Sequence, residues 1–378
     1  MGRALGQLQL LPRAATSRPA RSSLVLAAGA AVFAATCYYN HHHQHLVDEP
    51  SRLNRDRFVR YVVTGREPVS PSSTLLTVAS QTNDQWRHGL WSVEVKQPEV
   101  QIARHYTPLP PSADGDNGLL LFYLRNVQGG EMSSYLARLA VGNLIWLRGP
   151  HPGFDIIRRL GSRTRLVVLA GGTGLAPAMQ AAATVLDKPN TSATILWAVR
   201  RRDEIQSSPS APPSWWKLWL RGPTPIQLGP HLENATPLAL RLRQMKDQYG
   251  SRLDIRVAID DESSTFRDDQ LERILLLPPS SSAPFMSSMD CGCHDQSLHA
   301  SASELDPSDE TCLCPSAPDA KPGKNIFIVS GPDGFVSHYA GPKIWSGGTL
   351  TQGPVGGVVA KLQRRYPSLA REWLVLKL

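Results

Sequence analysis

The stretch RLVVLAGGTGLAPAMQ, residues 165–180, constrains the fold more than any other part of the sequence. A continuous apolar run ends in Gly171, Gly172 and Gly174 and passes directly into a helix-forming segment. Such a run is typical of a parallel strand that is buried on both faces. The glycines would leave backbone N–H groups free at the start of the helix, where the helix dipole favours an anion. The stretch therefore predicts a parallel α/β sheet with a pyrophosphate site at its carboxyl edge.

A second segment supports a ligand site at this sheet edge. In NIFIVSGPDGF, residues 325–335, another apolar run ends in Gly331 and Pro332. Ligands bind at the carboxyl ends of the strands in open α/β sheets. Thr173 adds a hydroxyl to the first loop, and Pro177 suits the first turn of a helix because its missing N–H is not needed there. The glycine stretch matches neither the GxGxxG fingerprint nor a P-loop, so its meaning depends on this second segment.

The two halves of the chain have different hydrophobic patterns. Between Phe58 and Leu147, short alternating runs such as RFVRYVVTGRE and WSVEVKQPEV are separated by Gly, Pro and Ser, which predicts an antiparallel β-barrel or sandwich. After Arg165, apolar runs alternate with helical segments, which predicts a parallel sheet with helices on its faces. At 378 residues, the chain is long enough for both domains. We therefore expect an antiparallel β-barrel domain at residues 58–160 and a doubly wound parallel-sheet domain at residues 161–378.

The N-terminal residues have the composition of a targeting segment followed by a membrane anchor. Residues 1–21 contain arginines but no Asp or Glu, as in a mitochondrial transit peptide. Residues 22–39 form an uncharged stretch at the short limit of a bilayer-spanning helix, a pattern that a secretory signal partly shares. Residues 40–57 would then be a linker, in which the run NHHHQH is either solvated or metal-binding. If positive residues stay in the matrix, the rest of the chain faces the intermembrane space from the inner membrane.

The formal net charge of +8 does not indicate nucleic-acid binding. The arginines are spread along the chain, and no dense basic run is interleaved with aromatic residues. The acid-free N-terminal segment accounts for part of the excess. Nucleic acid is therefore excluded as an expected partner.

Two polar insertions interrupt the second half of the chain, at about residues 207–230 and 263–324. The first contains SWWKLWLRG, whose tryptophans would contact a partner, a membrane surface or the parent domain. The second contains two C-x-C pairs, for which disulfides or thiol exchange, a zinc site and unpaired thiols are all open. Zinc sites usually use C-x₂-C spacing, so no metal site is predicted. The clustered cysteines are Cys291, Cys293, Cys312 and Cys314, and Cys37 lies in the expected anchor.

The stretch RHYTPLPP, residues 104–111, adds a motif in the first half. Arg104 and Tyr106 would lie on one face of an extended strand that the prolines end, although the stretch taken alone favours a charged strand end before a loop. In chain order, the motifs are Arg-x-Tyr-Thr-Pro, GGEMSSYL, VGNLIWLRGP, GGTGLAP and a Gly-Pro after the last strand. From about Phe58 to Leu378, outside the insertions, this order resembles the ferredoxin-reductase superfamily and, within it, the NADH-cytochrome b5 reductase branch.

The resemblance implies an FAD site on the barrel domain. Arg104 would pair with the FAD pyrophosphate, Tyr106 would lie against the flavin, and Thr107 would hydrogen-bond near flavin N5, where hydride arrives. Tyr106 and Thr107 are therefore the residues expected to act in catalysis. The helix after Gly130 would hold the second phosphate through its first N–H groups. Met132 and Ser133 begin that helix, and Arg125 on the preceding strand is expected to meet the nucleotide or the electron acceptor.

The resemblance also implies a pyridine-nucleotide site on the parallel-sheet domain. Its expected floor is Gly171, Gly172, Thr173, Gly174 and Pro177, with Gly331 and Pro332 beside the nicotinamide. Ser330 departs from the family pattern, which has a cysteine there, so the nicotinamide pocket lacks a polarizable sulfur. After ATILWAV, Arg200 and Arg201 favour a 2′-phosphate and hence NADPH, while Asp203 and Glu204 leave NADH open. A solvated basic turn is the alternative for these arginines.

The resemblance implies an FAD-dependent NAD(P)H oxidoreductase that passes electrons to a haem acceptor. The transit segment, the anchor and the AGPKIW stretch resemble mitochondrial inner-membrane flavoproteins that assist haem attachment to apocytochrome c. Apocytochrome c and a haem lyase are therefore expected partners. The alternatives are an outer-membrane NADH-cytochrome b5 reductase and a flavin-holding scaffold for haem lyase with little reductase activity, which the departure at Ser330 favours.

Overall fold

The computed structural model of the chain describes residues 52–79, 89–112, 118–207, 224–228, 232–277, 323–346 and 348–378. The chain divides into two units, Met1–Pro50 and Ser51–Leu378, and every described residue belongs to the second. The predicted transit segment and anchor, the histidine run, the tryptophan-rich stretch and the cysteines lie outside the described residues. Across the described ranges, none of the helices combines the length and apolar character needed to cross a bilayer. The same ranges contain no group of His, Cys, Asp and Glu side chains placed to hold a metal ion.

The first half of the second unit forms an antiparallel sheet. Its strands are β1 (Val59–Ser70), β2 (Ser73–Ala79), β3 (Trp91–Gln97), β4 (Ile102–Tyr106), β5 (Leu119–Arg125) and β6 (Leu144–Pro152), with helix α1 (Glu131–Arg138) between β5 and β6. The strand order is β4-β3-β6-β1-β2-β5, and every neighbouring pair is antiparallel. Buried and half-buried residues alternate along β3, as expected for a strand with one face on a core.

This antiparallel sheet has a core of its own. Buried side chains from β1, β2, β3, β5, β6 and α1 form one cluster, which includes Tyr61, Phe122 and Met132. Strands from across the sheet contribute to the same cluster, so the sheet curves around it. The predicted antiparallel fold of the first half is confirmed, and closure of the sheet into a barrel stays a prediction.

The second half contains a mostly parallel sheet and a separate hairpin. The strands are β7 (Arg165–Gly171), β8 (Ser192–Val199), β9 (Ile226–Gln227), β10 (Leu253–Ile259), β11 (Asn325–Ser330), β12 (Ile344–Ser346), β13 (Thr349–Thr351) and β14 (Trp373–Lys377). The sheet has the order β14-β11-β7-β8-β10-β9, in which the short edge strand β9 is antiparallel to β10 and the other pairs are parallel. Strands β12 and β13 pair with each other as an antiparallel hairpin.

The direction of the chain through this sheet reverses between β7 and β11. The chain enters at β7, continues to β8 and β10 on one side, and returns to β11 and β14 on the other. Ligands bind in open α/β sheets where the strand order reverses in this way, outside the carboxyl ends of the strands. The topology therefore indicates a site at the carboxyl ends of β7 and β11, where the sequence predicts one.

Helices cover both faces of the second sheet. They are α2 (Ile156–Leu160), α3 (Leu175–Leu186), α4 (Pro237–Tyr249), α5 (Asp268–Leu276), α6 (Asp333–Ala340), α7 (Gly357–Arg365) and α8 (Ser368–Glu372). Along β7, Val168 packs with α2, α3 and α4, whereas Val167 and Leu169 pack with the remaining helices. Successive side chains of a strand point to opposite faces, so these two clusters lie on opposite sides of the sheet.

Two elements of this domain lie inside the segments that the sequence analysis treats as insertions. Helix α5 falls within residues 263–324, and its Leu271, Ile274 and Leu275 recur at helical spacing and are buried against the sheet. Strand β9 falls within residues 207–230 and extends the sheet by pairing with β10. The hydrophobic pattern of the sequence does not reveal these two elements, because each contributes only a few apolar residues within a polar segment.

The hairpin near the C-terminus is fastened by a buried lysine. The Lys377 Nζ donates to the backbone carbonyls of Pro342 (3.0 Å), Gln352 (2.5 Å), Pro354 (2.9 Å) and Gly353 (3.4 Å). Burial lowers the pKa of Lys377 to about 8, and the nearby charge of Lys343 acts in the same direction. The hairpin that follows Pro342 exposes Trp345, whose exposed fraction is 74%.

The two sheets contact each other through a buried glutamine. The Gln180 side chain, on α3, accepts a hydrogen bond from the Trp91 backbone N–H at 3.0 Å and donates one to the Pro108 carbonyl at 2.8 Å. Only 4% of Gln180 is exposed. Both polar groups of this amide are hydrogen-bonded to backbone of the first half of the chain, at the start of β3 and just after β4. The two bonds therefore fix the orientation of α3 relative to the antiparallel sheet.

Candidate active site

A cavity of about 1090 Å³ lies between the two sheets, at the carboxyl ends of β7 and β11. Pockets for a single small molecule are roughly 300–1000 Å³, so this cavity has room for a ligand of dinucleotide size. Most residues predicted from the sequence line it: Tyr106, Thr107, Arg125, Ser133, Gly172, Thr173, Gly174, Pro177, Arg200, Arg201, Ser330, Gly331 and Pro332. Arg104, Gly130, Met132 and Gly171 are not among its lining residues.

The parallel-sheet side of the cavity is a place where two strand ends pack backbone against backbone. A Cβ added at Gly174 would lie 2.4 Å from the Ser330 carbonyl oxygen. One added at Gly171 would lie 3.0 Å from the Phe335 ring, and one at Gly331 would lie 3.0 Å from the Gly171 oxygen. Gly174 and Gly331 are needed because no side chain fits between the backbones that follow β7 and β11, and Gly171 because the Phe335 ring of α6 packs against it.

Gly172 has a different reason to be glycine. Its φ is +54°, in the left-handed region, and no backbone atom blocks a side chain there. Its carbonyl accepts a hydrogen bond of 3.0 Å from the indole N–H of Trp197 on β8, which fixes the loop to the neighbouring strand. The next residue, Thr173, is exposed and its hydroxyl has no hydrogen-bond partner among the described residues. Pro177 lies in the first turn of α3, as predicted.

Arg125 brings a positive charge into the cavity from the antiparallel sheet. It ends β5, is half-buried, and its Nη1 lies 3.5 Å from the position of a Cβ on Gly172. Within the described ranges, neither a carboxylate nor a carbonyl pairs with its guanidinium. A half-buried guanidinium that lies beside a glycine loop and has no acceptor among the described residues fits a phosphate, which it can bind through two parallel hydrogen bonds.

The end of β4 places Tyr106 and Thr107 in the cavity wall. Burial raises the pKa of Tyr106 to about 12, against the opposing charge of Arg104, so the phenol stays protonated at physiological pH. Arg104 is exposed, and its Nη1 donates to the Ala103 carbonyl at 2.8 Å. The sequence prediction that Arg104 binds a phosphate therefore requires the side chain to leave this local contact.

At the start of α1, the Ser133 side chain hydrogen-bonds to the backbone of the loop that precedes the helix. The Ser133 hydroxyl donates to the carbonyls of Val127 and Gly130, at 3.1 and 3.0 Å, and accepts from the Val127 N–H at 3.2 Å. Met132 is buried in the core of the antiparallel sheet. The side chains of Met132 and Ser133 are thus engaged within the protein, and what they offer a ligand is the backbone at the start of the helix.

The arginine run after β8 divides into paired and unpaired residues. Arg202 forms a bidentate ion pair with Glu262, at 2.6 and 2.7 Å, and Arg201 Nη2 lies 3.1 Å from the Asp203 carboxylate. Arg200 is exposed and lines the cavity beside Asp261, and it forms no side-chain ion pair with the described residues. Of the two arginines predicted to select the nucleotide, Arg200 is the one whose charge is not already neutralised.

Several cavity residues are absent from the sequence prediction. Tyr123 lies on β5 and Ser72 in the turn between β1 and β2, and Asp261 and Leu378 follow the ends of β10 and β14. None of them belongs to a glycine or proline motif, and each reaches the cavity only because the sheets pair as they do. Their position in the sequence is a signal for two of them, since Asp261 and Leu378 each lie two residues after the last apolar residue of a run that ends at the same sheet edge.

A charged cluster adjoins the cavity next to His105. The Glu94 carboxylate accepts from Arg148 Nε at 2.6 Å and lies 3.3 Å from His151 Nε2 and 3.7 Å from His105 Nε2. Burial acts to raise the pKa of Glu94, but the hydrogen bond and charge of Arg148 and the two histidines outweigh it and lower the pKa. Burial lowers the pKa of His151, although Glu94 opposes this. His105 also contacts the Ser92 hydroxyl through Nδ1 at 3.1 Å.

Comparison with known proteins agrees with this geometry. Residues 61–156 match the family "Oxidoreductase FAD-binding domain". The chain is 34% identical over 144 residues to the cytochrome c mitochondrial import factor CYC2 of Saccharomyces cerevisiae. This alignment covers 33% of this chain and 39% of that protein. It is 28% identical over 150 residues to NADH-cytochrome b5 reductase 1 of Rattus norvegicus, covering 32% of this chain and 48% of the relative. These matches confirm the resemblance read from the sequence.

The matches extend over part of each protein. The chain spans about two fifths to half the length of these two curated relatives. Among solved structures, the cytochrome b5 reductase domain of Ulva prolifera nitrate reductase aligns with 75% of this chain and 91% of its own length, at 19% identity and a TM-score of 0.46.

Proposed function

We propose, from the premise that residues 61–156 are an oxidoreductase FAD-binding domain, that this protein is an FAD-dependent NAD(P)H oxidoreductase. The observation that carries the proposal is the cavity itself. One wall comes from the matched domain and the other from a glycine loop at the reversal point of a parallel sheet. Enzymes that transfer hydride from a nicotinamide to a flavin need the two cofactors face to face, and a cavity between two such walls suits that arrangement.

On the antiparallel side, the chain offers groups that fit FAD. Tyr106 presents an aromatic ring with a neutral phenol and Thr107 a hydroxyl, while Arg125 supplies a cation without a protein acceptor in the described ranges. The backbone N–H groups at the start of α1, after Gly130, would hold a phosphate. Arg104 would leave the Ala103 carbonyl to bind the pyrophosphate. FAD would supply hydride acceptance and single-electron release, and the role of the protein is to hold, orient and shield it.

On the parallel-sheet side, the chain offers a floor for the pyridine nucleotide. Gly172, Thr173 and the start of α3 present backbone N–H groups and a hydroxyl, and Gly331 and Pro332 bound the far side. Arg200 would bind the 2′-phosphate of NADPH, because it forms no ion pair with the described residues while Arg201 pairs with Asp203. These residues position the nucleotide, and no general base is required for hydride transfer.

We further propose a haem acceptor in mitochondria. The relatives named above carry cytochrome c import and cytochrome b5 in their names, and both point to a haem protein as partner. The predicted transit segment and anchor would place the enzyme on the inner membrane, facing the intermembrane space. There it would reduce haem before attachment to apocytochrome c, with haem lyase as a partner. The alternatives remain an outer-membrane cytochrome b5 reductase and, from Ser330, a flavin-holding scaffold with little activity.

The deciding experiment follows the flavin absorbance of the full chain under anaerobic conditions. We expect the purified protein to be yellow, and NADPH or NADH to bleach the band. Addition of ferric haem or a ferricytochrome should then restore the colour. A yellow protein that neither nucleotide bleaches would favour the scaffold, and a colourless protein that takes up no added FAD would contradict the whole proposal.

A further inference from the structure

Glu204 is buried and accepts hydrogen bonds from three hydroxyl groups. Its carboxylate receives the Tyr123 hydroxyl at 2.8 Å, the Ser73 hydroxyl at 2.7 Å and the Ser70 hydroxyl at 3.0 Å. Only 5% of Glu204 is exposed. A buried carboxylate is stable only when its oxygens are hydrogen-bonded, so these three donors offset much of the cost of removing it from water.

The donors and the acceptor come from different sheets. Glu204 ends a single 3₁₀ turn, Arg202–Glu204, that follows β8 of the parallel sheet, whereas Ser70, Ser73 and Tyr123 belong to β1, β2 and β5 of the antiparallel sheet. On its own side, the turn is held by the Thr236 hydroxyl, which donates to the Glu204 carbonyl at 2.8 Å. The carboxylate therefore acts as a bridge that fixes one sheet against the other.

Among the residues that the structure describes, no cation pairs with this bridge. The neighbouring cations, Arg201 and Arg202, pair with Asp203 and Glu262, and no lysine or arginine in the described ranges forms an ion pair with Glu204. A buried carboxylate held only by hydroxyls contributes less to stability than an apolar contact of the same size would. Its benefit is directional, because each hydroxyl must stay where it is for the carboxylate to remain satisfied.

Tyr123 connects this bridge to the glycine loop. Tyr123 is one of the residues that line the cavity, and its ring lies edge-on to the Trp197 ring, with centroids 6.4 Å apart and planes at 83°. Trp197 is fully buried and donates its indole N–H to the Gly172 carbonyl. Burial, and then the Glu204 charge, raise the pKa of Tyr123 well above its usual value, so the phenol keeps the proton that it donates. A continuous series of contacts thus runs from Glu204 to Gly172.

We infer that Glu204 is a positioning residue for nucleotide binding, which it controls by holding Tyr123 in the cavity wall and, through Trp197, the loop at Gly172. The inference rests on the proposed function, because it assigns the ligand of the glycine loop to be the pyridine nucleotide. Loss of the bridge should weaken nucleotide binding while FAD, held by groups of the antiparallel sheet, remains bound. A residue that served stability alone would lower the melting temperature without changing nucleotide affinity.

The test measures the dissociation constants of NADP⁺ and NAD⁺ by flavin difference absorbance on the full-length, FAD-loaded protein. Tyr123→Phe removes one hydroxyl and keeps the ring, and we expect it to raise the dissociation constant about fivefold. Glu204→Gln replaces one carboxylate oxygen, an acceptor, by an amide N–H₂ that faces hydroxyl groups. This substitution should raise the nucleotide dissociation constant about tenfold or more. Under turnover, the nucleotide KM should rise while kcat stays within about twofold.

The matched control is Tyr249→Phe. Tyr249 also donates to a carboxylate, Asp187 at 3.2 Å, but that bond lies within the parallel-sheet domain and outside the cavity. The Tyr249→Phe substitution should leave the nucleotide dissociation constant unchanged. Wild-type affinity in both Tyr123→Phe and Glu204→Gln, with FAD retained, would overturn the inference. If Glu204→Gln fails to fold, Tyr123→Phe and Ser73→Ala decide the question alone.

The same experiment separates failure of this inference from failure of the proposed function. Wild-type protein that binds FAD but neither nucleotide would overturn the assignment of the glycine loop, and with it both proposals. Wild-type protein that binds a nucleotide, with variants that bind it equally well, would overturn only the role of Glu204. Weaker binding in the variants with unchanged flavin content supports both.

Discussion

The parallel-sheet wall of the cavity consists mainly of backbone, whereas the antiparallel-sheet wall consists mainly of side chains. On the first, Gly174 and Gly331 allow two loops to meet with no room for a Cβ atom. On the second, Tyr106 and Arg125 reach into the cavity from strand ends. The two walls should therefore fail differently: substitutions in the backbone wall should disturb folding and binding together, and substitutions in the side-chain wall should disturb binding alone.

The largest effect is expected for Gly174→Ala in the backbone wall. The new Cβ would lie 2.4 Å from the Ser330 oxygen, a backbone atom that cannot rotate away. We expect a loss of roughly 3 kcal/mol or more in the free energy of unfolding, together with loss of nucleotide binding. Chemical denaturation measures the first and a flavin difference titration the second.

Gly334→Ala is the control for that substitution. Gly334 lies in the first turn of α6, and a Cβ there meets nothing within 4 Å. Alanine should be neutral or slightly stabilising, by up to about 1 kcal/mol, since glycine is the poorer helix former. If Gly174→Ala unfolds at the same denaturant concentration as wild type, the backbone wall has room for a Cβ atom at Gly174.

Arg125→Met tests the side-chain wall. The guanidinium has no protein partner in the described ranges, so removing it should leave the free energy of unfolding within about 0.5 kcal/mol of wild type. FAD, the ligand proposed for this wall, should lose a charge-assisted hydrogen bond. The loss costs about 2 kcal/mol, or roughly 30-fold in the FAD dissociation constant. Arg138→Met, on the exposed side of α1, is the matched control and should bind as wild type. Equal affinities in the two variants would remove Arg125 from the site.

Nucleotide selection sharpens the comparison further, because it depends on which arginine is free. Arg200→Glu should raise the NADPH KM about tenfold relative to the NADH KM, since it reverses an unpaired charge in the cavity wall. Arg201→Glu should have a smaller effect, about threefold, because Asp203 already neutralises Arg201. Steady-state kinetics with both nucleotides gives the ratio. Parallel changes in the two KM values would show that the ribose site lies elsewhere.

The smallest effect is expected for Gly172→Ala, within the same loop as Gly174. Its φ of +54° costs a non-glycine residue about 1 kcal/mol, but only the flexible end of Arg125 comes near a new Cβ. We therefore expect a loss of about 1 kcal/mol in the free energy of unfolding. If Gly172→Ala costs as much as Gly174→Ala, a side chain at Gly172 is disfavoured by more than its backbone conformation, because Gly174 itself has an ordinary helical φ of −57°.

The sequence predicts the backbone wall more fully than the side-chain wall. Gly171 to Gly174 and Gly331 follow apolar runs directly, so local order along the chain reveals both the strand ends and the loops. Alternation in β3 and continuous burial in β11 likewise predict which half is antiparallel and which is parallel. These features depend on neighbours within a few residues, and the structure confirms both sheets.

The residues that the sequence does not predict depend on contacts between distant segments. Glu204 and Tyr123 are 81 residues apart and meet only after both sheets form. Neither occurs in a recognisable motif, and Glu204 reads from the sequence as a possible ribose ligand, whereas its carboxylate is buried among hydroxyls of the other sheet. Helix α5 is missed for another reason, because its polar residues merge with the insertion that follows.

The lysine beneath the C-terminal hairpin occupies a shell of carbonyl oxygens of the kind that a monovalent ion would bind. Four backbone oxygens surround Lys377 Nζ within 3.4 Å, so the chain supplies its own tethered cation at that position. Lys377→Ala would leave these oxygens facing one another, and their mutual repulsion would loosen the segment that carries Trp345. An exchangeable guest such as methylammonium or potassium could then take the place of the lost side chain and restore the hairpin, in the manner of a crown ether.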